Sequence, residues 1–322
     1  MRASLFVTCL TDLFYPDVAA SVVRILHRLG VPVDFPREQT CCGQPALNSG
    51  YMDDFRAVAA RMINVFQDAE VVVTPSGSCC SIVREYFPHA FEHDPLMRPK
   101  AEAMAAKTFE FVEFVEKVLK VDWSKWDLHF PAIATYHYSC HLRGIGMTDE
   151  AVQLLKKIRG VEYRPCEKME QCCGFGGTFS VKYGDISGAM VRDKIACIQA
   201  TGADLLMVND GGCAMNIAGA FNRAGINMRI MHIAEILDQA MKKGRGTGCP
   251  TSSEVGDAKK DSSGSPVPPN TAEGRGGCGP SGITTCHCES ASNPKSEIPS
   301  LKSEISNLKS EIHNPQSEGG AQ

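Results

Sequence analysis

Cysteine is the residue type with which this chain can do the most chemistry. The 322 residues include 15 cysteines, an odd number. Three pairs of cysteines are adjacent in the sequence, namely Cys41-Cys42, Cys79-Cys80 and Cys172-Cys173. Neighbouring cysteines seldom meet disulfide geometry without strain, and the N-terminus has no secretory signal pattern. We therefore expect a cytoplasmic protein, in a reducing compartment where thiolates bind metals or do redox chemistry.

An internal repeat organises these cysteines. A shift of 131 residues relates the first cysteine and the Cys-Cys-Gly string of one half to those of the other, and a shift of 134 relates the closing cysteines. Each half thus contributes four repeated thiols. The first set is Cys9, Cys41, Cys42 and Cys79, and the second set is Cys140, Cys172, Cys173 and Cys213. Repetition at a fixed spacing indicates two copies of one structural module.

The elements that must position these thiols alternate between strands and helices. Short apolar runs such as Leu5–Thr8 and Val71–Thr74 precede cysteines, and helical patterns such as Asp17–Leu29 follow. This alternation predicts an α/β fold of two tandem Rossmann-like repeats, each with a parallel sheet. We place the first cysteine-rich repeat at residues 1–128 and the second at residues 129–243.

The predicted topology brings the distant cysteines together. Ligands of open α/β sheets bind beyond the carboxyl ends of the strands, and the cysteine-bearing turns of each half follow strands. Helix N-termini at Cys79 and Cys213 would add positive potential, which lowers thiol pKa values and stabilises an anionic group. Four thiolates at one edge of each sheet predict two metal sites.

Residues 244–322 have a different composition. Glycine, serine and proline dominate their first part, which is typical of a low-complexity, disordered tail. The segment Ile298–Ile312 has apolar residues at heptad spacing, but it is shorter than a confident coiled coil requires. Cys286, His287 and Cys288 are consecutive and Cys278 precedes them, but we expect no metal site in such a polar segment.

Charge and hydropathy exclude two classes of partner. The formal net charge is −4, from 33 basic and 37 acidic residues, so no basic surplus favours nucleic acid. The longest apolar runs fall far below the roughly 18 residues that a membrane span needs. We expect no nucleic-acid partner and no membrane span.

The motifs resemble a known family. The strings CCGQPA at residues 41–46 and CCGFGGTFSVKY at residues 172–183 are similar to those of the lactate utilization protein A family, as are YH at 136–137 and SCHLR at 139–143. The wider resemblance is to CCG cysteine-rich domains such as those of heterodisulfide reductase. The resemblance covers about residues 3–242. Its lactate utilization part implies a role in the oxidation of L-lactate to pyruvate without NAD.

The resemblance also implies a cofactor and partners. It makes each set of four repeated cysteines the ligands of one iron–sulfur cluster, two 4Fe–4S clusters in all, and it implies companion lactate-utilization proteins, one with ferredoxin-type clusters. The CCG domains of heterodisulfide reductase have a further cysteine in each motif. Ser76 and Asp210 stand at those positions here, so cubane and non-cubane clusters both stay open, as does oxygen ligation by either residue.

Alternatives remain for the thiols and for the function. The eight cysteines could instead hold zinc or act as redox thiols without metal. Cys80, Cys166 and Cys197 have the character of packing thiols, and His137 and His141 either tune a cluster or are hydrogen-bonded structural residues. The leading function is an electron-transfer component of lactate oxidation. The alternatives are a cluster-based thiol–disulfide reductase and a metal-stabilised scaffold without catalysis.

Overall fold

A computed structural model describes residues 1–243. The predictions made for residues 244–322, including those for Cys278, Cys286, His287 and Cys288, lie outside the described residues. The first half contains strands β1 Ala3–Leu5, β2 Val33–Asp34, β3 Val71–Thr74 and β4 Thr108–Glu110. The second half contains β5 His129–Tyr136, β6 Arg159–Tyr163, β7 Leu205–Val208 and β8 Arg229–His232.

Helices connect the strands in both halves. Those of the first half are α1 Cys9–Phe14, α2 Pro16–Arg28, α3 Gln44–Ser49, α4 Met52–Val65, α5 Gly77–Ser81, α6 Phe87–Ala90, α7 Arg98–Ala106 and α8 Phe111–Glu113, with π-helical turns at Ile82–Tyr86 and Phe114–Val118 and a 3-10 turn at Trp123–Lys125. Those of the second half are α9 Cys140–Gly144, α10 Glu150–Lys156, α11 Phe179–Lys182, α12 Gly184–Ala200, α13 Gly211–Arg223 and α14 Ile233–Lys243. No helix among residues 1–243 is long and apolar enough to cross a membrane.

The two sheets have the same topology. The strand orders are β2-β1-β3-β4 and β6-β5-β7-β8, and all pairs are parallel. Ala3 pairs with Val71 in one sheet, and Ala134 pairs with Leu205 in the other. These registers match at the repeat spacing found in the sequence, so the predicted α/β fold of two tandem CCG-type repeats is confirmed.

Sequence determines these elements in a simple way. β3 and β7 are buried at all four positions, as expected for central parallel strands covered on both faces. Helix α2 begins at Pro16, whose fixed φ suits the first turn. Its apolar face buries Val22 and Ile25, and Gly30 then takes a φ of 75° that ends the helix.

Both halves share one hydrophobic core. Buried residues of the first half, such as Phe111 and Phe114, belong to the same apolar cluster as Tyr136, Leu154 and Leu237 of the second half. Two smaller clusters cover the outer sheet faces. The domain limits at residues 128 and 243 stay predictions.

A buried carboxylate also ties the halves together. Asp238 of α14 lies 2.7 Å from the guanidinium of Arg24 and 2.8 Å from that of Arg28, both on α2. Only 1% of the Asp238 side chain is exposed, so the two arginines offset the cost of burying its charge. The first and last long helices of the described chain are therefore fixed to each other.

Candidate metal centre

Each repeated cysteine follows the carboxyl end of a strand. In the first half, Cys9 begins α1 after β1, Cys41 and Cys42 lie between β2 and α3, and Cys79 lies in the first turn of α5 after β3. Because the strands are parallel, these turns meet at one edge of the sheet. The helix carrying Cys79 begins two residues earlier than predicted, at Gly77, so the thiol still lies in the N-terminal turn.

The thiols of the first group lie in direct contact. Cys9 Sγ is 3.5 Å from Cys41 Sγ, and Cys42 Sγ is 3.4 Å from Cys79 Sγ. The backbone N–H of Gly43 donates to Cys41 Sγ across 3.4 Å. This geometry requires glycine, because φ is 85° and a Cβ would lie 2.8 Å from the ring of Phe55.

The second group repeats this arrangement. Cys140 begins α9, Cys172 and Cys173 follow β6, and Cys213 lies in the first turn of α13. The N–H of Gly174 donates to Cys172 Sγ across 3.3 Å. Gly174 has a φ of 82°, and a Cβ there would lie 2.9 Å from the Ser187 carbonyl oxygen. The glycine after each double cysteine therefore lets a backbone amide reach sulfur.

One cavity joins the two groups. Its volume is about 310 Å³, and both halves of the described chain line it. All eight predicted ligands lie on its wall, namely Cys9, Cys41, Cys42, Cys79, Cys140, Cys172, Cys173 and Cys213. The structure thus brings together thiols that are as much as 204 residues apart in the sequence. It leaves Cys80, Cys166 and Cys197 off this wall.

Mutual hydrogen bonds lower the pKa of some thiols. Hydrogen bonds from neighbouring thiols, that of Cys42 foremost, lower the pKa of Cys41 to about 3. Similar bonds, that of Cys140 foremost, lower the pKa of Cys172 to about 2, and a neighbouring thiol lowers the pKa of Cys213 to about 6. The donating thiols have raised pKa values because of the same bonds and of burial. Each group therefore contains thiolate, the form that binds metal.

Asp210 lies between the two groups and is bonded to both halves. Its Oδ1 accepts from the N–H groups of Gly212 and Cys213, so it caps α13. Its Oδ2 accepts from Ser76 Oγ at 3.0 Å, Ser78 N at 2.9 Å and Ser78 Oγ at 2.6 Å. Both carboxylate oxygens thus serve hydrogen bonds that align the helices carrying Cys79 and Cys213, and these bonds compete with metal ligation by Asp210 or Ser76.

The glycine-rich loop after Cys173 closes one side of the cavity. Asn48 of α3 donates to the Gly176 carbonyl oxygen across 3.2 Å, and Ser49 bonds Thr178 across 3.3 Å. Gly176 and Gly177 both have positive φ and line the cavity. The loop therefore lines the cavity that holds the thiols of both halves.

His137 is the residue whose role the sequence left open. Its side chain is buried, and neither ring nitrogen has a hydrogen-bond partner among the described residues. One of those nitrogens and the sulfurs of Cys173 and Cys213 lie within 4.8 Å of one another. The ring of His137 therefore faces the second group, and the choice between a structural histidine and one that tunes a cluster stays open. His141 lies on the cavity wall, with Nδ1 3.6 Å from Cys140 Sγ.

The other thiols have different surroundings. Cys80 is fully buried in the core and points to the Thr108 carbonyl oxygen, 4.0 Å away. Burial raises its pKa well above the usual value. Cys166 is also buried, and burial raises its pKa too. These are properties of packing thiols, as the sequence predicted.

The donor set can be tested against zinc and against clusters. A structural zinc site is a closed tetrahedron of four ligands. Here the eight thiols line one open cavity of about 310 Å³. Thiols, backbone N–H groups near sulfur and an open thiol-lined volume are the environment of iron–sulfur clusters. The thiol donors and the nearby N–H groups therefore fit the chemistry of an iron–sulfur cluster.

Comparison with known proteins agrees with the repeat. The CCG cysteine-rich domain family matches residues 3–84 and 134–218, just over half of the chain. Lactate utilization protein A of Geobacillus kaustophilus is 50% identical over 239 residues, which cover 74% of this chain and 99% of that protein. Lactate utilization protein A of Bacillus subtilis is 48% identical with the same coverage.

Among solved structures, a hypothetical protein from Helicobacter pylori aligns with 74% of this chain and 49% of that chain, at 14% identity and a TM-score of 0.49.

Each of the two family matches spans four of the eight cavity cysteines. The unit recognised by sequence is therefore the unit that places one group of thiols.

Proposed function

This chain belongs to the CCG cysteine-rich family that includes lactate utilization protein A, and on that premise we propose that it is the iron–sulfur electron-transfer component of an NAD-independent L-lactate oxidation system. Its relatives are named for lactate utilization. The observation that carries the proposal is the convergence of two four-thiol groups on one cavity. The proposed place of action is the cytoplasm, where thiols stay reduced.

Each group of four cysteines is the proposed ligand set of one 4Fe–4S cluster. Such clusters, when bound, accept and release single electrons. The chain's own residues hold them. Gly43 and Gly174 direct backbone amides at sulfur, the caps of α5 and α13 fix Cys79 and Cys213, and Asp210 keeps those two helices in register.

The proposed partners follow from the resemblance to lactate utilization proteins. Oxidation of lactate to pyruvate releases two electrons and two protons, and each cluster carries one electron. We propose companion lactate-utilization proteins that bring the electrons to an acceptor, including one with ferredoxin-type clusters.

A thiol–disulfide reductase is the second candidate function. Cys9 is the most exposed of the eight thiols and stands at the cavity wall, 3.5 Å from Cys41, whose pKa is low. In this second candidate, a cluster held by these cysteines reduces a disulfide that enters the open cavity. This observation makes a small disulfide the competing substrate.

One pair of assays separates the two functions. The cluster-loaded chain is mixed anaerobically with its companion proteins, and cluster reduction is followed by absorbance on addition of L-lactate. The proposal predicts bleaching with L-lactate and none with D-lactate or without the companions. If reduced chain instead turns over low-molecular-weight disulfides and never responds to lactate, the reductase function replaces the proposed one.

A further inference from the structure

The two cysteine groups differ in the residues that surround them, and the differences fall on matched positions of the repeat. Phe6 corresponds to His137 at the spacing of 131 residues that relates the cysteines. The buried positions of α4 and α12 match at a spacing of 132, which pairs Met62 with Lys194. All four side chains are buried. Two apolar residues of the first half are thus replaced in the second half by an imidazole and an ammonium group.

His137 directs an unsatisfied group at the second thiol set. Buried polar groups in folded proteins nearly always have hydrogen-bond partners, but both ring nitrogens of His137 lack one among residues 1–243. One ring nitrogen of His137 and the sulfurs of Cys173 and Cys213 lie within 4.8 Å of one another. If these cysteines hold a cluster, one of its sulfur atoms would accept a hydrogen bond from the ring N–H of His137.

Lys194 places a buried cation behind the same set. Its ammonium donates to the Lys168 carbonyl oxygen at 2.5 Å and to the Met169 carbonyl oxygen at 3.3 Å. These carbonyls belong to the loop that leads into Cys172. Burial lowers the pKa of Lys194, whereas the thiols of Cys166, Cys197, Cys173 and Cys172, in decreasing order, act to raise it. Two of these four thiols belong to the second group.

The first group has neither feature. Phe6 packs edge-to-face against Phe66, with ring centroids 5.9 Å apart. Met62 belongs to the same apolar cluster, which also contains Cys42 and Cys79. Side chains of this kind offer no hydrogen bond and no charge to a reduced, more negative cluster.

We propose that His137 and Lys194 make the second group the higher-potential site, so that a single electron shared between the two clusters resides at the second. The inference rests on the proposed function, since it presupposes that both groups bind clusters. Hydrogen bonds to sulfur and nearby positive charge both stabilise the reduced cluster, and they therefore raise the cluster's reduction potential. The first group would then be the entry side, and the second group would be the side from which electrons leave.

Two features of the site act in the opposite direction. The Asp210 carboxylate raises the pKa of Cys140 and of Cys213, though less than hydrogen bonding and burial alter those values, and Cys9 is more exposed to water than Cys140. The Asp210 charge is shared by donors from both halves. His137 and Lys194 are buried and act on the second group alone, where a low local dielectric strengthens their effect.

A redox titration of the full, anaerobically loaded chain tests the inference. Electron paramagnetic resonance follows each reduced cluster, and Cys41→Ser, which keeps only the second group intact, identifies that group's signal. We expect two distinct midpoint potentials in the wild-type chain, with the second group's higher. His137→Phe should shift the second midpoint down and leave the first unchanged. His137→Gln keeps an N–H donor, so its second midpoint potential should lie close to the wild-type value.

Matched variants complete the design. Lys194→Met should lower the second midpoint in the same way, and Phe6→His should raise the first. If His137→Phe and Lys194→Met both load two clusters with unmoved potentials, or if the first group has the higher potential in the wild type, the inference is overturned while the proposed function stands. If the wild-type chain takes up no iron, the proposed function fails, and iron analysis distinguishes that outcome.

Discussion

The direction in which a thiol points decides what it can bind. Cys79 and Cys80 are adjacent, both are buried, and both lie in α5. Cys79 nevertheless faces the cavity at 3.4 Å from Cys42, whereas Cys80 turns into the core toward Thr108. A helix separates successive side chains by about 100°, so two neighbouring cysteines cannot both serve one site from the same helix.

This geometry predicts different outcomes for neighbouring substitutions. Cys41→Ser removes a thiolate of the first group and should lower iron from roughly eight to roughly four atoms per chain, because the second group is separate. Cys80→Ser, the matched control, should leave the iron content within error. Iron analysis and electron paramagnetic resonance measure both. Loss of a cluster in Cys80→Ser would mean that Cys80, and not Cys79, is the ligand.

Some site residues were predictable from sequence and others were not. The eight cavity cysteines were predictable because each is repeated and follows an apolar strand. The role of His137 was not, since only the fold reveals that its ring has no partner among the described residues. Lys194 interrupts the apolar face of α12, and its correspondence to Met62 in the repeat was the available signal.

Short polar contacts join the elements of the two halves beneath the cavity. Glu110 ends β4, and its carboxylate accepts from the N–H groups of Val112 and Glu113. Its other oxygen accepts from Asn209 of the second half across 3.1 Å. The side chain is fully buried, and burial raises its pKa to about 7. This acid thus links the ends of β4 and β7.

The raised pKa predicts how stability depends on pH. Between the ordinary value of 4.5 and about 7, the unfolded chain releases the Glu110 proton before the folded chain does. The contribution of Glu110 is therefore present at low pH and is lost as pH rises through this window, by roughly 3 kcal/mol at most. His232 acts oppositely, since burial lowers its pKa to about 4.

One variant separates the contribution of Glu110 to the pH dependence of stability from the contribution of His232. Glu110→Gln cannot ionise, and its amide can still bond Asn209 if that side chain turns over. The free energy of unfolding of the variant, relative to wild type, should rise between pH 5 and 7.5. Denaturant titrations at several pH values measure it. A difference that stays flat with pH would show that Glu110 has an ordinary pKa in the fold.

The pattern of elements was largely predictable as well. The central strands were evident because they are continuously apolar, and helices such as α4 and α12 were evident from their spacing. The fourth strand of each sheet, Thr108–Glu110 and Arg229–His232, was not predicted. These strands are short and carry polar residues at the sheet edge, so they have no apolar run to mark them.

At the scale of the whole molecule, the two repeats form one unit around the cavity. They share a hydrophobic core, and Asp238 pairs with arginines of the first half. Asp210 bonds both halves at the cavity itself. The relatives align over 239 residues, which are 99% of their own length. Residues 1–243 are therefore expected to contain what cluster binding needs.

Truncation after Lys243 tests this expectation. Residues 244–322 lie outside the described residues, and their polar composition alone leads us to predict that they bury no core of their own. The shortened chain should keep its solubility, iron content and support of lactate-dependent growth. The competing hypothesis is that Ile298–Ile312 docks a partner. Loss of growth together with loss of partner co-purification would make this segment part of the functional unit.

The iron and acid-labile sulfide content of the anaerobically purified full chain tests the central claim most directly. Two groups of four thiols predict roughly eight irons and eight sulfides per chain if both clusters are 4Fe–4S. Removal of either Cys41 or Cys172 should halve both values. Stoichiometric zinc in the purified chain, with no uptake of iron and sulfide on reconstitution, would contradict the account.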